Sequence, residues 1–366
     1  MDDKTIQAYK GFDADLRCRD FQYEVGKTYE HVGPVRACGS GFHACENPLD
    51  VWAYYPVNQS RFCKVTLSGD ISRDGSDSKV AARRITLDVE IGIPQIITDA
   101  VKYLLGLAKE ATDLAKTLPK LESKDHTDNG VADTQIGTSG YGTRIGTSGD
   151  STQIGTSGNS TQIGTSGDST QIGTSGYGTR IGTSGYGTRI GTSGDSTQIG
   201  TSGNSTQIGT SGNGTQIGTS GDSTQIGTSG YGTRIGTSGD STQIGTSGDS
   251  TQIGTSGYGT RIGTSGYGTR IGTSGNGTQI GTSGDSTRIG TSGYGTQIDQ
   301  QGENAVIACA GLDTVFKTDV GGSVAIAYWN HAEERVRFAV GYVGENLKAR
   351  TRYRVDNAGQ FVEVSE

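Results

Sequence analysis

Between Thr134 and Gly295 the chain repeats one nine-residue unit eighteen times without gaining or losing a residue. The unit reads T-x-I-G-T-S-G-x-[GS], and it places one Ile at the same phase throughout, from Ile136 to Ile289. A flexible Gly/Ser/Thr linker has no need of an apolar residue at a fixed phase. Stacked coils do, because each coil must bury the same position against the next. Composition supports dividing the chain on this basis. Of the 62 Gly, 45 lie in the repeat, and the flanks have ordinary globular composition. The repeat carries seven Arg and seven Asp, so the net charge of −7 belongs to the flanks. That balance excludes a strongly basic nucleic-acid binder, and no nucleic-acid partner is expected.

Nine residues are too few to close a coil with two strands and two turns. Two units per coil, eighteen residues, solve this and predict about nine coils, roughly 43 Å long at ~4.8 Å per strand. The expected fold is mainly β: a two-sided β-solenoid with an N-terminal α+β domain, an α-helical cap and a small C-terminal β cap. In the strand Thr-x-Ile-Gly-Thr, side chains alternate between faces. Ile therefore points inward with both Thr, while Gln or Arg at position two and Gly at position four point outward. Gly at positions seven and nine is expected to supply positive φ in the turns. One buried Ile contributes ~2–3 kcal/mol, against ~9–18 kcal/mol of backbone entropy for nine ordered residues. Backbone ladders and inward Thr hydroxyl ladders are expected to add to it.

The organisation read from the chain is an N-terminal domain at 1–93, an amphipathic capping helix at 94–124, the solenoid at 125–322 and a β cap at 323–366. The helix rests on the apolar stripe Val101, Leu104, Leu105, Ala108, Ala111, Leu114, Ala115 and Leu118. Downstream the period fades: Ile298, Ile307 and Phe316 keep the Ile phase. Ser323–Tyr328, Val336–Val343 and Tyr353–Val364 then read as strands, with a hairpin turn at Asp356-Asn357-Ala358-Gly359. No apolar run reaches the ~18 residues of a membrane span. The opening MDDKTIQAYKGFDADL lacks the regions of a signal peptide. Five Cys, an odd number, argue against a secreted disulfide framework. The expectation is a cytoplasmic protein with no membrane partner.

Several ligands can be weighed for the repeat. Ice binding requires outward Thr ranks, but parity turns these Thr inward. Calcium-binding nonapeptides place Asp two residues before the apolar position, where this repeat has Thr. A DNA mimic needs dense negative charge, which a neutral repeat lacks. Position eight is Tyr in seven units, and in six of them an Arg follows three residues later. The pairs are Tyr141/Arg144, Tyr177/Arg180, Tyr186/Arg189, Tyr231/Arg234, Tyr258/Arg261 and Tyr267/Arg270. They form a candidate aromatic-basic binding stripe along a solenoid edge. Equally, Tyr-Gly-Thr-Arg and Asp-Ser-Thr-Gln are blocks that duplication would copy whole.

The N-terminal domain holds Cys18, Cys38, Cys45, Cys63 and His43, but their spacing matches no familiar zinc pattern, and neither metal nor cofactor is expected. The stretch GSGFHACENPLDVWAYYP followed by FCKVTLSGDI resembles the ADP-ribosyltransferase fold over about 60 residues. Tyr9-Lys10-Gly11 falls near that family's first motif, with Lys10 where the family has His or Arg, His43 where it has an aromatic, and Glu90 as the nearest match to its late Glu. The segments AYKGFDADLRCRDFQYEVGKTYE, GFHACENPLDV and GQFVEV also resemble a family of uncharacterised bacterial and phage proteins that join such a domain to short Gly/Ser/Thr-rich repeats. The resemblance implies an architecture and no activity. The leading expectation is a non-enzymatic structural protein that binds a protein partner, with homo-oligomerisation open. A nucleotide-acting enzyme and an ice-binding solenoid are the alternatives.

Overall fold

The computed structural model describes residues 5–19, 21–55, 60–73, 78–92, 95–96, 99–100, 102–103, 125–128 and 132–364. The chain divides into two compact units, Met1–Ala100 and Val101–Glu366.

The second unit is a two-sided β-solenoid. After β8 (Asp125–Asp128), strands β9 to β26 each occupy positions two to five of one unit, from Gln135–Thr138 to Arg288–Thr291. Three further strands, β27 (Gln297–Gln300), β28 (Val306–Cys309) and β29 (Val315–Lys317), continue the winding past the regular repeat. The coil is therefore eighteen residues, as the period predicts, and the winding extends to about eleven turns. Even-numbered strands form one sheet and odd-numbered strands the other, each of 13 strands once the C-terminal strands are added. Neighbours are parallel and in register, with Ile145 beside Ile163 and Ile154 beside Ile172. The Ile from both sheets form one core, each at most 4% exposed. Thr at positions one and five are buried with them throughout the interior coils.

The turns differ from expectation in two respects. Positive φ belongs to position nine alone: Gly142 (72°) and Gly178 (72°), but also Ser151 (55°) and Ser160 (58°). Position seven is Gly for another reason. A Cβ on Gly158 would lie 1.8 Å from the carbonyl oxygen of Gly140 one coil away, and one on Gly203 would lie 1.9 Å from that of Gly185. Coils stack through bare backbone there. The second correction concerns Thr. The position-one hydroxyl donates backwards across its own turn, as Thr161 Oγ1 does to the Gly158 carbonyl at 2.8 Å, and makes no ladder between coils. The position-five hydroxyls, from Thr138 to Thr291, have no protein hydrogen-bond partner.

At the C-terminal end each sheet turns antiparallel. In the even sheet, β30 (Ser323–Asn330) continues the parallel winding and β31 (Arg335–Tyr342) reverses it. In the odd sheet, β32 (Arg352–Val355) runs antiparallel to β29, and β33 (Phe361–Glu363) pairs with it across the Asp356–Gly359 turn, where Gly359 has φ of 81°. Phe316, Tyr353 and Phe361 close the core in mutual ring contact. Of the expected capping helix, the described residues Gln95, Ile96, Asp99, Ala100, Lys102 and Tyr103 are helical; residues 104–124 lie outside the described set.

The first unit is a small β structure. β1 (Ile6–Phe12), β4 (Thr28–Glu30), β5 (Phe42–Cys45), β6 (Arg61–Arg73) and β7 (Lys79–Ile91) take the order β4-β7-β5-β1-β6, and β6 also pairs with β7. That last pairing closes β7-β5-β1-β6 on itself. Two minor strands, β2 (Arg17–Cys18) and β3 (Phe21–Gln22), form a separate hairpin, and a 3₁₀ turn spans Pro48–Ala53. Phe12, Val65, Leu67, Ile85 and Leu87 fill the interior.

Candidate functional site

The repeat's two outer faces share a sequence pattern but differ in structure. On the even sheet the position-four glycines Gly164, Gly182, Gly200, Gly218, Gly236, Gly254, Gly272 and Gly290 are exposed, with nothing within 4 Å of where a side chain would begin. They floor an open groove of about 1660 Å³, bordered by the position-two residues. On the odd sheet the equivalent glycines, such as Gly155 and Gly173, are buried, and Gln243 is only 6% exposed. Five of the seven repeat Arg fall on the even face: Arg144, Arg180, Arg234, Arg270 and Arg288. Among the described residues, no carboxylate lines the groove.

Position eight sits at the turns, so its residues form two edges. Tyr141, Tyr177, Tyr231 and Tyr267 lie in turns entering even strands, and Arg144, Arg180, Arg234 and Arg270 follow them on the even face. Tyr186 and Tyr258 lie on the other edge and lead to Arg189 and Arg261 on the odd face. The six pairs therefore separate into four along one corner and two along the opposite one. All seven repeat Tyr are 56–73% exposed. Among the described residues, the close cation–ring contacts are made by Lys10 and Lys79, and none joins a repeat Tyr to an Arg.

Asp and Asn at position eight have a structural task that sequence reasoning did not identify. Their Oδ1 accepts the backbone N–H of the position-eight residue in the next coil, as with Asn159 and Tyr177 (2.9 Å) or Asp240 and Tyr258 (2.7 Å). Every Asp and Asn at this position does so, from Asp150 to Asp285. A Tyr cannot. No Tyr stands directly above another on either edge, so each exposed Tyr from Tyr177 to Tyr294 has its own N–H held by an acidic or amide residue one coil back. The position-eight carboxylates are acceptors in this ladder.

The N-terminal unit has a cavity of about 560 Å³, within the ~300–1,000 Å³ usual for small-molecule sites. It opens where β1 and β5 part, since these strands pair only at Tyr9 and Cys45. Lys10 bridges the gap: its Nζ donates to the His43 carbonyl at 2.9 Å and lies 3.5 Å from Cys18 Sγ. Cys18 is in turn 2.9 Å from the Tyr55 hydroxyl. Tyr55 packs flat on Gly11, where a Cβ would come within 2.4 Å of its ring.

Residues 6–99 match DUF7666, a domain of unknown function. No curated protein and no solved structure matches the chain.

Within the DUF7666 domain, burial is the main cause of the lowered ionisation of Lys10, and it also lowers that of His43, which Lys10 depresses further. Burial pushes the Cys63 thiol up to about 12, so it stays a thiol. Glu90 lies outside the cavity lining, ion-paired with Arg61 at 2.6 Å. Cys45 and Cys63 are buried, Cys38 is exposed, and among the described residues no group of three metal-ligating side chains converges. The chain thus joins a β-solenoid to an N-terminal segment that matches DUF7666.

Proposed function

We propose that the protein is a non-enzymatic interaction scaffold, whose solenoid binds a protein partner along the corner formed by Tyr141/Arg144, Tyr177/Arg180, Tyr231/Arg234 and Tyr267/Arg270. The observation carrying this reading is the alignment of four exposed Tyr–Arg pairs beside an open, carboxylate-free groove. Tyr and Arg are the side chains most enriched at the energetic centres of protein interfaces. The charges lining the groove are all Arg, which favours an acidic partner surface, while the Tyr edge beside it also carries Asp195, Asp249 and Asp285. The repeated pairs are spaced by two, three and two coils, which suits many weak contacts acting together.

Coil arithmetic tests this. Removing Thr206–Ser223, one whole coil, keeps every pair on its own corner. Removing Thr206–Gly214, one unit, still allows winding but sends Tyr231/Arg234 and Tyr267/Arg270 to the opposite side from Tyr141/Arg144 and brings Tyr258/Arg261 to it, so that three pairs remain on the corner, at altered spacing. Partner co-purification should survive the first deletion and fall severalfold with the second. Equal retention in both would reject the corner.

A second reading, self-association, has its own observation. Val336, Phe338, Val340 and Tyr342 of β31 are 46–55% exposed, and they alternate along the last strand of the even sheet. An apolar edge strand is prone to pairing with another chain. Sedimentation of Phe338→Ser against the parent chain checks it: a dimer that becomes a monomer supports self-association, and a monomer in both rejects it.

A further inference from the structure

The cavity of the DUF7666 domain contains a cation without a counter-charge. Lys10 is 5% exposed, and its Nζ partners are neutral: the His43 carbonyl and Cys18 Sγ. The ammonium also lies 5.6 Å from the Phe12 ring centre and 5.8 Å from that of Tyr23. Rings and a carbonyl stabilise such a charge only in part. A buried ammonium ordinarily has a carboxylate partner, because its desolvation is otherwise uncompensated.

Among the described residues, none of those lining the cavity is acidic. Arg19 and Lys79 line it as well, and Arg19 is close enough to press on the ionisation of Lys10. The lining thus gathers positive charge within a chain whose net charge is −7. Six aromatic side chains also line it: Tyr9, Phe21, Tyr23, Phe42, Tyr54 and Tyr55. Three lining residues, Arg19 (φ 56°), Cys38 (59°) and Gly41 (100°), hold left-handed backbone. For Arg19 and Cys38 this backbone is strained, and such strain concentrates at ligand sites.

We propose that this cavity binds a small phosphate ester carried on a flat ring, with the phosphate received by Lys10 and Arg19 and the ring packed among the tyrosines. The dianion supplies the charge that the domain's own residues withhold from Lys10. The ring occupies a wall that offers π faces on several sides.

Phenyl phosphate is the minimal probe, titrated calorimetrically into the full chain with phenol and inorganic phosphate as the two halves of the ligand. Saturation at one site per chain is expected, at least tenfold tighter than either half. Arg19→Gln, at the exposed rim, should weaken binding about threefold or more, and Lys10→Met at least tenfold. If Lys10→Met fails to fold, Arg19→Gln alone decides. Absence of saturable phenyl phosphate binding, or unchanged affinity in a folded variant, would overturn the proposal.

Discussion

Gly158 sits directly on Gly140 of the neighbouring coil, so closely that a Cβ on the former would lie 1.8 Å from the carbonyl oxygen of the latter. Position four of the even sheet has no such neighbour: around Gly200 nothing lies within 4 Å. The fading repeat respects this distinction. Position four becomes Asp299, Ala308 and Lys317, while position seven remains Gly302 and Gly311. Asp299 and Lys317 even form an ion pair of 2.9 Å across two stacked strands. Gly203→Ala should therefore destabilise the solenoid by at least ~1–3 kcal/mol through overpacking. Gly200→Ala should be neutral or stabilising by ~0.4–1 kcal/mol, since it only narrows the unfolded ensemble. Urea midpoints followed by far-ultraviolet circular dichroism separate the two; equal effects would reject the stacking explanation.

The side-chain ladder at position eight predicts a graded series. Asp240 accepts the Tyr258 N–H at 2.7 Å. Asp240→Ala should cost ~0.5–1.5 kcal/mol, the net worth of one such bond. Asp240→Asn should cost almost nothing, because Asn213 holds the Tyr231 N–H in the same way at 2.9 Å. Amide exchange at Tyr258 is the local readout, and protection should be lost only in the Ala variant.

The two Thr of one strand should respond oppositely to loss of the hydroxyl. Thr224 Oγ1 donates to the Gly221 carbonyl at 2.8 Å, whereas Thr228 Oγ1 is buried with no protein partner. Thr224→Val should destabilise by ~1–3 kcal/mol, as it leaves a buried carbonyl without its donor. Thr228→Val should be neutral or stabilising. A loss at Thr228 as large as that at Thr224 would contradict this assignment.

Lys10 predicts a pH dependence. Burial lowers its ionisation in the folded domain, so the unfolded chain binds more protons between the folded value and the ordinary lysine value of 10.5. Stability must rise with pH across that window. The chain has two Trp, and Trp329→Phe leaves buried Trp52 as the sole fluorescent reporter of the DUF7666 domain. In that background the urea midpoint should climb with pH towards 10.5, and Lys10→Met should flatten the rise.

The residues show what a linear reading can reach. The Ile phase was enough to predict an eighteen-residue coil, a two-sided solenoid and inward Ile and Thr, because strand alternation and a fixed period are local properties of a chain. The Asp356–Gly359 hairpin and the strands around it were legible for the same reason. The Tyr and Arg of the candidate corner were found by counting, but their division into four pairs and two depends on which strands enter which sheet.

What only the tertiary structure decided involves contacts eighteen residues apart or further. Gly158 is bare because of Gly140, and Asn159 matters to Tyr177; neither relation has a signature within a single unit. The two faces carry the same Gln/Arg and Gly pattern, yet one exposes its glycines and the other covers them. In the DUF7666 domain, Lys10 and His43 meet because β1 and β5 separate beyond Tyr9 and Cys45, a parting that no local propensity encodes. Periodicity therefore specifies the winding of the chain, whereas the chemistry at its surfaces arises from the packing of coil on coil and strand beside strand.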